Sequence, residues 1–110
     1  MKNKKVETLL TKIEVIKKEL NEIGSMRPGS VTEQFHKRGD QRWPYWQISY
    51  THNRRSKTEY IRDEFVEQIK AEVLEYKKFK SLVEKLVKIN IDLSKEKIKI
   101  KLSGLLPELN

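Results

Sequence analysis

The sequence predicts an α+β protein: an N-terminal helix, a three-stranded antiparallel sheet, and a long C-terminal helix that forms an antiparallel helical hairpin with the first. Three observations support this class. Apolar residues recur every three or four positions in the first and last parts of the chain, as in amphipathic helices. They alternate with polar residues in the middle, as in half-buried strands. Glycine, proline or asparagine separates the strand-like segments.

The first helix is predicted over residues 2–23. Its apolar residues follow a 3-4-3-4-3 spacing that keeps them on one helix face, namely Val6, Leu9, Ile13, Ile16, Leu20 and Ile23. Lysines and glutamates occupy most other positions, so the opposite face is expected to be solvated. The pattern predicts a two-faced helix.

The sheet is predicted over residues 31–61, with strands near 31–36, 45–52 and 55–61. A loop containing Gly39-Asp40 and Arg42-Trp43-Pro44-Tyr45 is expected to join the first two strands. A tight hairpin from His52 to Arg55 joins the others, because Asn53 tolerates the left-handed conformation that such turns need.

The core of the predicted sheet follows from the same alternation. Trp46, Ile48 and Tyr50 recur at every second position, so they are expected to share one face and to pack against the helices. Phe35 and Ile61 are expected to join them. Gln47, Ser49 and Thr51 then form the opposite face of the second strand.

The second helix is predicted over residues 63–92. Asp63, Glu64 and Glu67 place negative charge in its first turn, where it complements the helix dipole. The apolar stripe consists of Phe65, Ile69, Val73, Tyr76, Phe79, Leu82, Val83 and Leu86. Other apolar residues fall outside this stripe and predict a homodimer: Leu10, Val66, Leu74 and Val87.

Residues 1–94 are therefore predicted to form a single α+β domain, followed by a C-terminal arm or tail over residues 95–110. Lysine or glutamate alternates with isoleucine or leucine over residues 95–102, a strand-like period. Three alternatives remain for this segment: an edge strand, an extended arm on a partner subunit, or a mobile terminus.

Composition narrows the functional classes. The 110 residues include no cysteine, which excludes a disulfide scaffold and a cysteine metal site. No apolar run is long enough for a membrane span or a signal peptide, so a soluble, cytoplasmic protein without membrane contact is expected. The net charge of +8 favours polyanionic partners.

The positive charge is concentrated in the middle of the chain. Residues 27–62 hold eight basic residues against three acidic ones, all six arginines of the chain, and six of its nine aromatic residues. Arginine offers a planar fork of five donors that suits phosphates and guanine edges, whereas lysine serves as a solvated charge. The segregation therefore predicts a contact surface on the sheet.

The leading hypothesis is a small basic protein that contacts double-stranded DNA through its arginine-rich sheet and hairpin tip. Phosphate contacts are assigned to Arg38, Arg42, Arg54, Arg55 and Lys57, and base-edge contacts to Gln47, Thr51 and Asn53. Trp43 either stacks on a base or sugar or covers the sheet edge. RNA or single-strand binding through stacking on Trp43 and Tyr45 is an alternative.

No enzymatic site is predicted, and neither a cofactor nor a metal is expected. His36 and His52 lie 16 residues apart without a pattern of acidic ligands, and four glycines form no phosphate-binding loop. The alternative to DNA binding is a non-enzymatic protein-interaction module, adaptor or accessory, that uses the aromatic sheet and the coiled-coil helices.

The strings MRPGSVTEQFHKRG and WPYWQISYTHNRRSKTEYI, at residues 26–39 and 43–61, resemble an uncharacterised prokaryotic domain family often encoded near transposases. The resemblance implies a helix, a basic aromatic hairpin and a long helix, a mobile-element context with a nucleic acid or protein partner, and no established activity. Many family members carry cysteines between the first two strands, where this chain has Lys37 to Arg42. The sheet-plus-helix pattern is also similar to the arm-binding domains of phage-type integrases.

Overall fold

The computed structural model describes residues 3–109, with side chains through Gly104. Its elements are α1 (Lys4–Asn21), β1 (Ser30–Arg38), β2 (Gln41–His52), β3 (Arg55–Ile61), a 3₁₀ turn (Asp63–Phe65) and α2 (Val66–Leu109). The predicted α+β class, with a helix before and after a three-stranded antiparallel sheet, is confirmed. The described residues divide into two compact units. The helical unit contains α1 and α2 from Phe79 onward, and the sheet unit contains Ile23–Lys78.

The sheet has the order β1-β2-β3, and both neighbouring pairs are antiparallel. Each connection is a two-residue turn with left-handed backbone. In the first turn Gly39 has φ 62°, and in the second turn Asn53 and Arg54 have φ 52° and 64°. These are the features of types II′ and I′, whose twist matches that of the strands they join. The predicted hairpin from His52 to Arg55 has formed.

The core of the sheet unit lies between the sheet and the first turns of α2. Ile48 and Ile61 from the sheet are buried together with Val66 and Val73 from α2. Partly buried apolar residues pack against this cluster, namely Val31, Trp46, Tyr50 and Ile69. The prediction for the core was wrong for Phe35, which is 46% exposed. It lies towards the Gly39 end of β1, whereas the α2 residues pack against Ile48 and Ile61.

Gly29 lets the chain enter β1 directly over this core. Its φ is +143°, a conformation that side-chain-bearing residues rarely adopt. A Cβ at this position would lie 2.7 Å from both Cγ1 and Cδ1 of Ile48. The most deeply buried side chain of the sheet therefore occupies the space that a larger residue would need.

The helical unit is a hairpin of α1 and the C-terminal part of α2. Asn3 caps α1, since its side chain accepts hydrogen bonds from the backbone N–H groups of Lys5 and Val6. The buried cluster joins Leu9 and Ile13 to Leu93. Lys5 Nζ lies 3.4 Å from Glu96 Oε2. Within the described residues, neither helix contains a stretch apolar enough to cross a bilayer.

Strand β2 begins four residues earlier than predicted, at Gln41 in place of residue 45. Residues 41–44, including Arg42, Trp43 and Pro44, are strand and not loop. Pro44 is tolerated because β3 pairs with β2 only from Trp46 to His52. The missing N–H of Pro44, opposite Phe35, therefore interrupts no ladder on the β3 side.

The start of the second helix also differs from its prediction. Residues 63–65 form a 3₁₀ turn, which has three residues per turn and so shifts the phase of the apolar stripe. Val66 is consequently buried at 4% exposure, and Phe65 is 46% exposed. The sequence pattern predicted Phe65 in the apolar stripe and Val66 outside it, and both predictions were wrong.

Helix α2 continues through Leu109, well beyond the predicted end at residue 92. The interpretation of residues 95–102 as a strand or an extended arm was wrong. Lysine, glutamate and isoleucine alternate there, but a helix that has already nucleated gains one hydrogen bond for each residue it adds. No glycine or proline interrupts the segment before Gly104. The prediction for residue 110 lies outside the described residues.

Candidate nucleic-acid interface

The sheet presents one face away from its core. Residues that oppose each other in antiparallel strands point to the same side, so the register defines an outer face opposite Ile48 and an inner face that includes it. The outer face consists of Ser30, Thr32, Gln34, His36, Arg38, Gln41, Trp43, Tyr45, Gln47, Ser49, Thr51, Ser56, Thr58 and Tyr60. None of these residues is buried.

Hydroxyl side chains form paired rungs between β2 and β3 on the outer face. The hydroxyl oxygens of Ser49 and Thr58 lie 3.0 Å apart, and those of Thr51 and Ser56 lie 3.1 Å apart. A hydroxyl has one donor and two acceptor positions, so each rung keeps hydrogen-bonding capacity after pairing. The rungs can therefore meet both donors and acceptors of a ligand.

Aromatic side chains occupy the other part of the outer face. The rings of His36 and Tyr45 stack with centroids 4.1 Å apart and an angle of 16°. Trp43 is paired with His36 and is 44% exposed, and Tyr60 on β3 is 67% exposed. Exposed rings of this kind offer flat surfaces for bases or sugars.

The outer face contains no carboxylate. Both acidic residues of the strands, Glu33 and Glu59, lie on the inner face. Among the described residues, no group of three or more His, Asp or Glu side chains could hold a metal ion. The outer face therefore places no negative charge where a polyanion would lie.

Glu59 is held on the inner face by two neighbours. Tyr50 Oη donates a hydrogen bond to Glu59 Oε1, and Arg27 Nη2 lies 3.9 Å from Glu59 Oε2. The guanidinium of Arg27 also lies 5.1 Å from the centre of the Tyr50 ring. The hydrogen bond to Glu59 raises the pKa of Tyr50 above its ordinary value, with desolvation and the Glu59 charge as smaller causes. Arg27 opposes that rise.

The structure divides the predicted site residues among three places. The outer face carries Arg38, Trp43, Gln47 and Thr51. The second turn carries Asn53 and Arg54. The inner-face positions carry Arg42, Arg55 and Lys57.

The basic residues form two groups at opposite ends of β2. Arg38 and Arg42 flank the first turn, and Arg54, Arg55 and Lys57 lie at or beside the second turn. Strand β2 has 12 residues, so at about 3.3 Å per residue its two ends, beside which the groups lie, are about 36 Å apart. The predicted residues therefore form two groups and not one patch.

Arg42 has a local partner as well as a charge. Its guanidinium carbon lies 5.5 Å from the centre of the Phe35 ring, on the inner side of the first hairpin. An arginine that stacks on a ring keeps its five donors at the edge of the plane. Arg42 can therefore contact phosphate at the margin of the sheet while it covers Phe35.

Sequence reasoning left some structural contributors out of the predicted site. The hydroxyl rungs involve Ser49, Ser56 and Thr58, none of which was assigned a role in the predicted site. Arg27 was counted only in the charge total, although it fixes Glu59 on the inner face. The hydroxyl pairs could have been predicted from the hairpin at residues 52–55. Its two-residue turn sets the register of β2 and β3, and so determines which residues face each other.

Comparison with protein-family models shows which family the chain matches. A family model described as "Domain of unknown function (DUF6788)" matches residues 6–71, from α1 through the sheet to the first turns of α2. No curated protein and no solved structure shows significant similarity to the chain.

Proposed function

Because the chain belongs to the DUF6788 family, whose function is unknown, we propose its function from the geometry of the sheet. The protein binds duplex DNA through the outer face of the sheet and the basic residues at and beside its two turns, with those at inner-face positions reaching phosphates at the sheet margin. The observation that carries this proposal is the charge distribution: the outer face has no carboxylate, Arg38 lies at one of its ends, and Arg54 lies in the turn at the other. This distribution suits a polyanion that lies along β2.

The chemistry of each residue type suggests its role. Arg38, Arg42, Arg54, Arg55 and Lys57 neutralise phosphates. Base edges are left to the neutral polar groups, Gln47, Thr51 and Asn53, which have both donors and acceptors. Trp43 provides an exposed ring beside them. Roughly five phosphate contacts predict a slope of about −4 to −5 for log K against log salt concentration.

The proposal is tested by fluorescence anisotropy with duplex and single-stranded DNA of random sequence across a salt series. Arg54→Ala/Arg55→Ala should weaken duplex binding and reduce the salt slope by about 2, because two phosphate contacts are lost. Lys97→Ala/Lys99→Ala is the matched control, since it removes the same charge from exposed positions of the helical unit. Equal losses in the two variants, or affinity that does not fall with salt, would contradict the proposal.

Binding without catalysis is part of the proposal. His36 is stacked on Tyr45, and the carboxylates of Glu33 and Glu59 lie on the other face of the sheet. The outer face therefore brings no acid together with a base or nucleophile in the manner of a general acid–base site.

Three further parts of the proposal concern context. The resemblance to a family often encoded near transposases supports a link to a mobile element. A DNA-binding role in such a context is consistent with a cytoplasmic location. Exposed apolar residues, among them Leu10, Leu74 and Val87, support a homodimer.

A protein partner from a mobile element is the second candidate function. It is favoured by apolar side chains left exposed on the helices, such as Leu10 at 45% and Val87 at 53%. Competition separates the two functions. Heparin and nonspecific duplex should displace DNA, whereas a mainly apolar protein interface should survive both heparin and the Arg54→Ala/Arg55→Ala change.

A further inference from the structure

Strand β1 has an open edge. It pairs with β2 on one side only, and its register from Ser30 to Arg38 contains no bulge. In a two-residue hairpin the pair that closes the turn, here Arg38 and Gln41, is hydrogen-bonded. Alternate residues then direct their N–H and C=O groups away from β2, namely Val31, Glu33, Phe35 and Lys37. Within residues 3–109, no backbone hydrogen bond outside the β1–β2 ladder reaches these groups.

The side chains of this edge match a second copy of themselves. When two β1 strands run antiparallel with Phe35 opposite Phe35, Glu33 of each strand faces Lys37 of the other. Both ion pairs and the central aromatic pair lie on the inner face. The same register aligns three of the four outward-directed backbone positions, Glu33, Phe35 and Lys37, so a short antiparallel ladder can form.

Other registers lose this match. Sliding one strand by two residues places Glu33 opposite Phe35 and Lys37 opposite Val31. Sliding it by four in either direction places either Glu33 opposite Glu33 or Lys37 opposite Lys37. Like charges directly opposite destabilise a strand pair, whereas opposite charges and aromatic pairs stabilise it. The sequence of β1 thus selects one self-pairing.

We infer that two copies of the chain associate through their β1 edges into one continuous six-stranded antiparallel sheet. Phe35 supplies the apolar centre of the contact: it is 46% exposed, and the guanidinium of Arg42 flanks its ring at 5.5 Å. The other edge strand, β3, has no comparable centre. Its inner-face apolar residue, Ile61, is already buried in the core.

The pairing itself does not depend on DNA, but one consequence rests on the proposed function. Joining two sheets edge to edge places two outer faces side by side on the same surface. The dimer then presents twice the width of carboxylate-free surface and four basic turns. A dimer of this form should bind duplex more tightly than a monomer.

A single cysteine provides a direct test, since the chain has none. In a hydrogen-bonded antiparallel pair the Cα atoms are about 5.5 Å apart, which is within the range of disulfides. Phe35→Cys should therefore form a disulfide-linked dimer on mild oxidation, visible on a non-reducing gel. The matched control is Thr58→Cys, at the centre of the β3 edge. Equal or faster cross-linking of the control would overturn the inference.

Charge exchange tests the same register without removing Phe35. Glu33→Lys and Lys37→Glu should each raise the dimer Kd about tenfold, because each replaces two attractive pairs by two repulsive ones. The double variant should return the Kd to about the wild-type value. Sedimentation without DNA measures all four proteins. With a dimer Kd of about 0.1 mM, the wild type at about 0.5 mM should be mostly dimer. The inference is overturned if the wild type is monomeric at that concentration, or if the dimer Kd of the double variant remains high.

The two proposals fail in different ways. A dimer that cross-links at Phe35 but binds no duplex contradicts only the DNA function. Duplex binding by a strict monomer contradicts the pairing of β1 edges and the proposed homodimer, and leaves the DNA function intact.

Discussion

Arg54 occupies an unfavourable backbone position for its residue type. Its φ of 64° is left-handed, and the second central position of a type I′ turn is normally glycine. An L-residue in this conformation costs about 1 kcal/mol or more relative to glycine. An arginine at such a site contributes no packing that offsets the cost, because it is exposed. The strained position is most simply explained by a use for the guanidinium.

Arg54→Gly is therefore expected to stabilise the fold and weaken DNA binding at the same time. The free energy of unfolding should rise by about 1 kcal/mol as the strain is removed. Duplex affinity should fall, and the salt slope should decrease by about 1. Urea denaturation and anisotropy measure the two effects on one protein.

Arg54→Lys is the control for charge, because it keeps the positive charge and the strained backbone. It should leave the stability unchanged and retain most of the electrostatic part of binding. An Arg54→Gly protein that binds duplex as well as the wild type would show that the side chain is merely solvated.

Helix α2 contains an ion pair between neighbouring turns in the helical unit. Lys88 Nζ lies 2.7 Å from Asp92 Oδ1 one turn further along α2. This hydrogen bond lowers the pKa of Asp92 below its ordinary value, with smaller contributions from the charges of Lys88, Lys95 and Lys5, against an opposing desolvation effect. The ionised form of Asp92 is thus favoured in the folded helix.

Acid should remove this contribution. Because the pKa of Asp92 is lowered on folding, its stabilising effect is present above the unfolded value of about 3.8 and is lost as the pH falls through the folded value. Asp92→Asn should flatten this part of the pH dependence, measured as the thermal midpoint by circular dichroism between pH 7 and pH 2. Asp40→Asn, in the first turn of the sheet, is the control. If the thermal midpoint of Asp92→Asn changes with pH in parallel with that of the wild type, the Lys88–Asp92 ion pair does not contribute to the pH dependence of stability.

Local periodicity predicted the elements well and their ends poorly. The helical stripes and the alternation around Ile48 depend only on neighbours within one element, so they are visible in the sequence. The placement of Pro44 within β2 depends on where β3 stops, at Ile61 opposite Trp46. The course of α2 beyond residue 92 depends on helix propagation, which the lysine–isoleucine alternation concealed.

The candidate site shows the same limit. The residue types of a polyanion surface were identifiable, because the arginines are confined to residues 27–62. Their separation into two groups also follows from the predicted strands, which place the first loop and the hairpin tip at opposite ends of the second strand. The face of Arg42 was not predictable, since the early start of β2 moved Arg42 from a loop to an inner-face position of a strand.

At the scale of the whole molecule, the two basic groups set a length for the ligand. The ends of β2 beside which they lie are about 36 Å apart, and one turn of duplex DNA covers about 34–36 Å in 10–10.5 base pairs. A duplex that lies along β2 can therefore contact all members of both groups only when it approaches one full turn. Shorter duplexes can contact one group at a time.

The affinity for duplex should therefore increase sharply between about 6 and 12 base pairs and change little with further length, after correction for the number of binding positions. Arg54→Ala/Arg55→Ala, which leaves only Lys57 in the second group, should lose most of this step and bind short and long duplexes nearly alike. The Lys97→Ala/Lys99→Ala control should keep it. Anisotropy with blunt duplexes of 6, 8, 12 and 16 base pairs measures the dependence. If the affinity instead increases smoothly with duplex length, and equally in all three proteins, the two turns do not act on one duplex. The affinity step depends on the second turn only when one duplex bridges both basic groups.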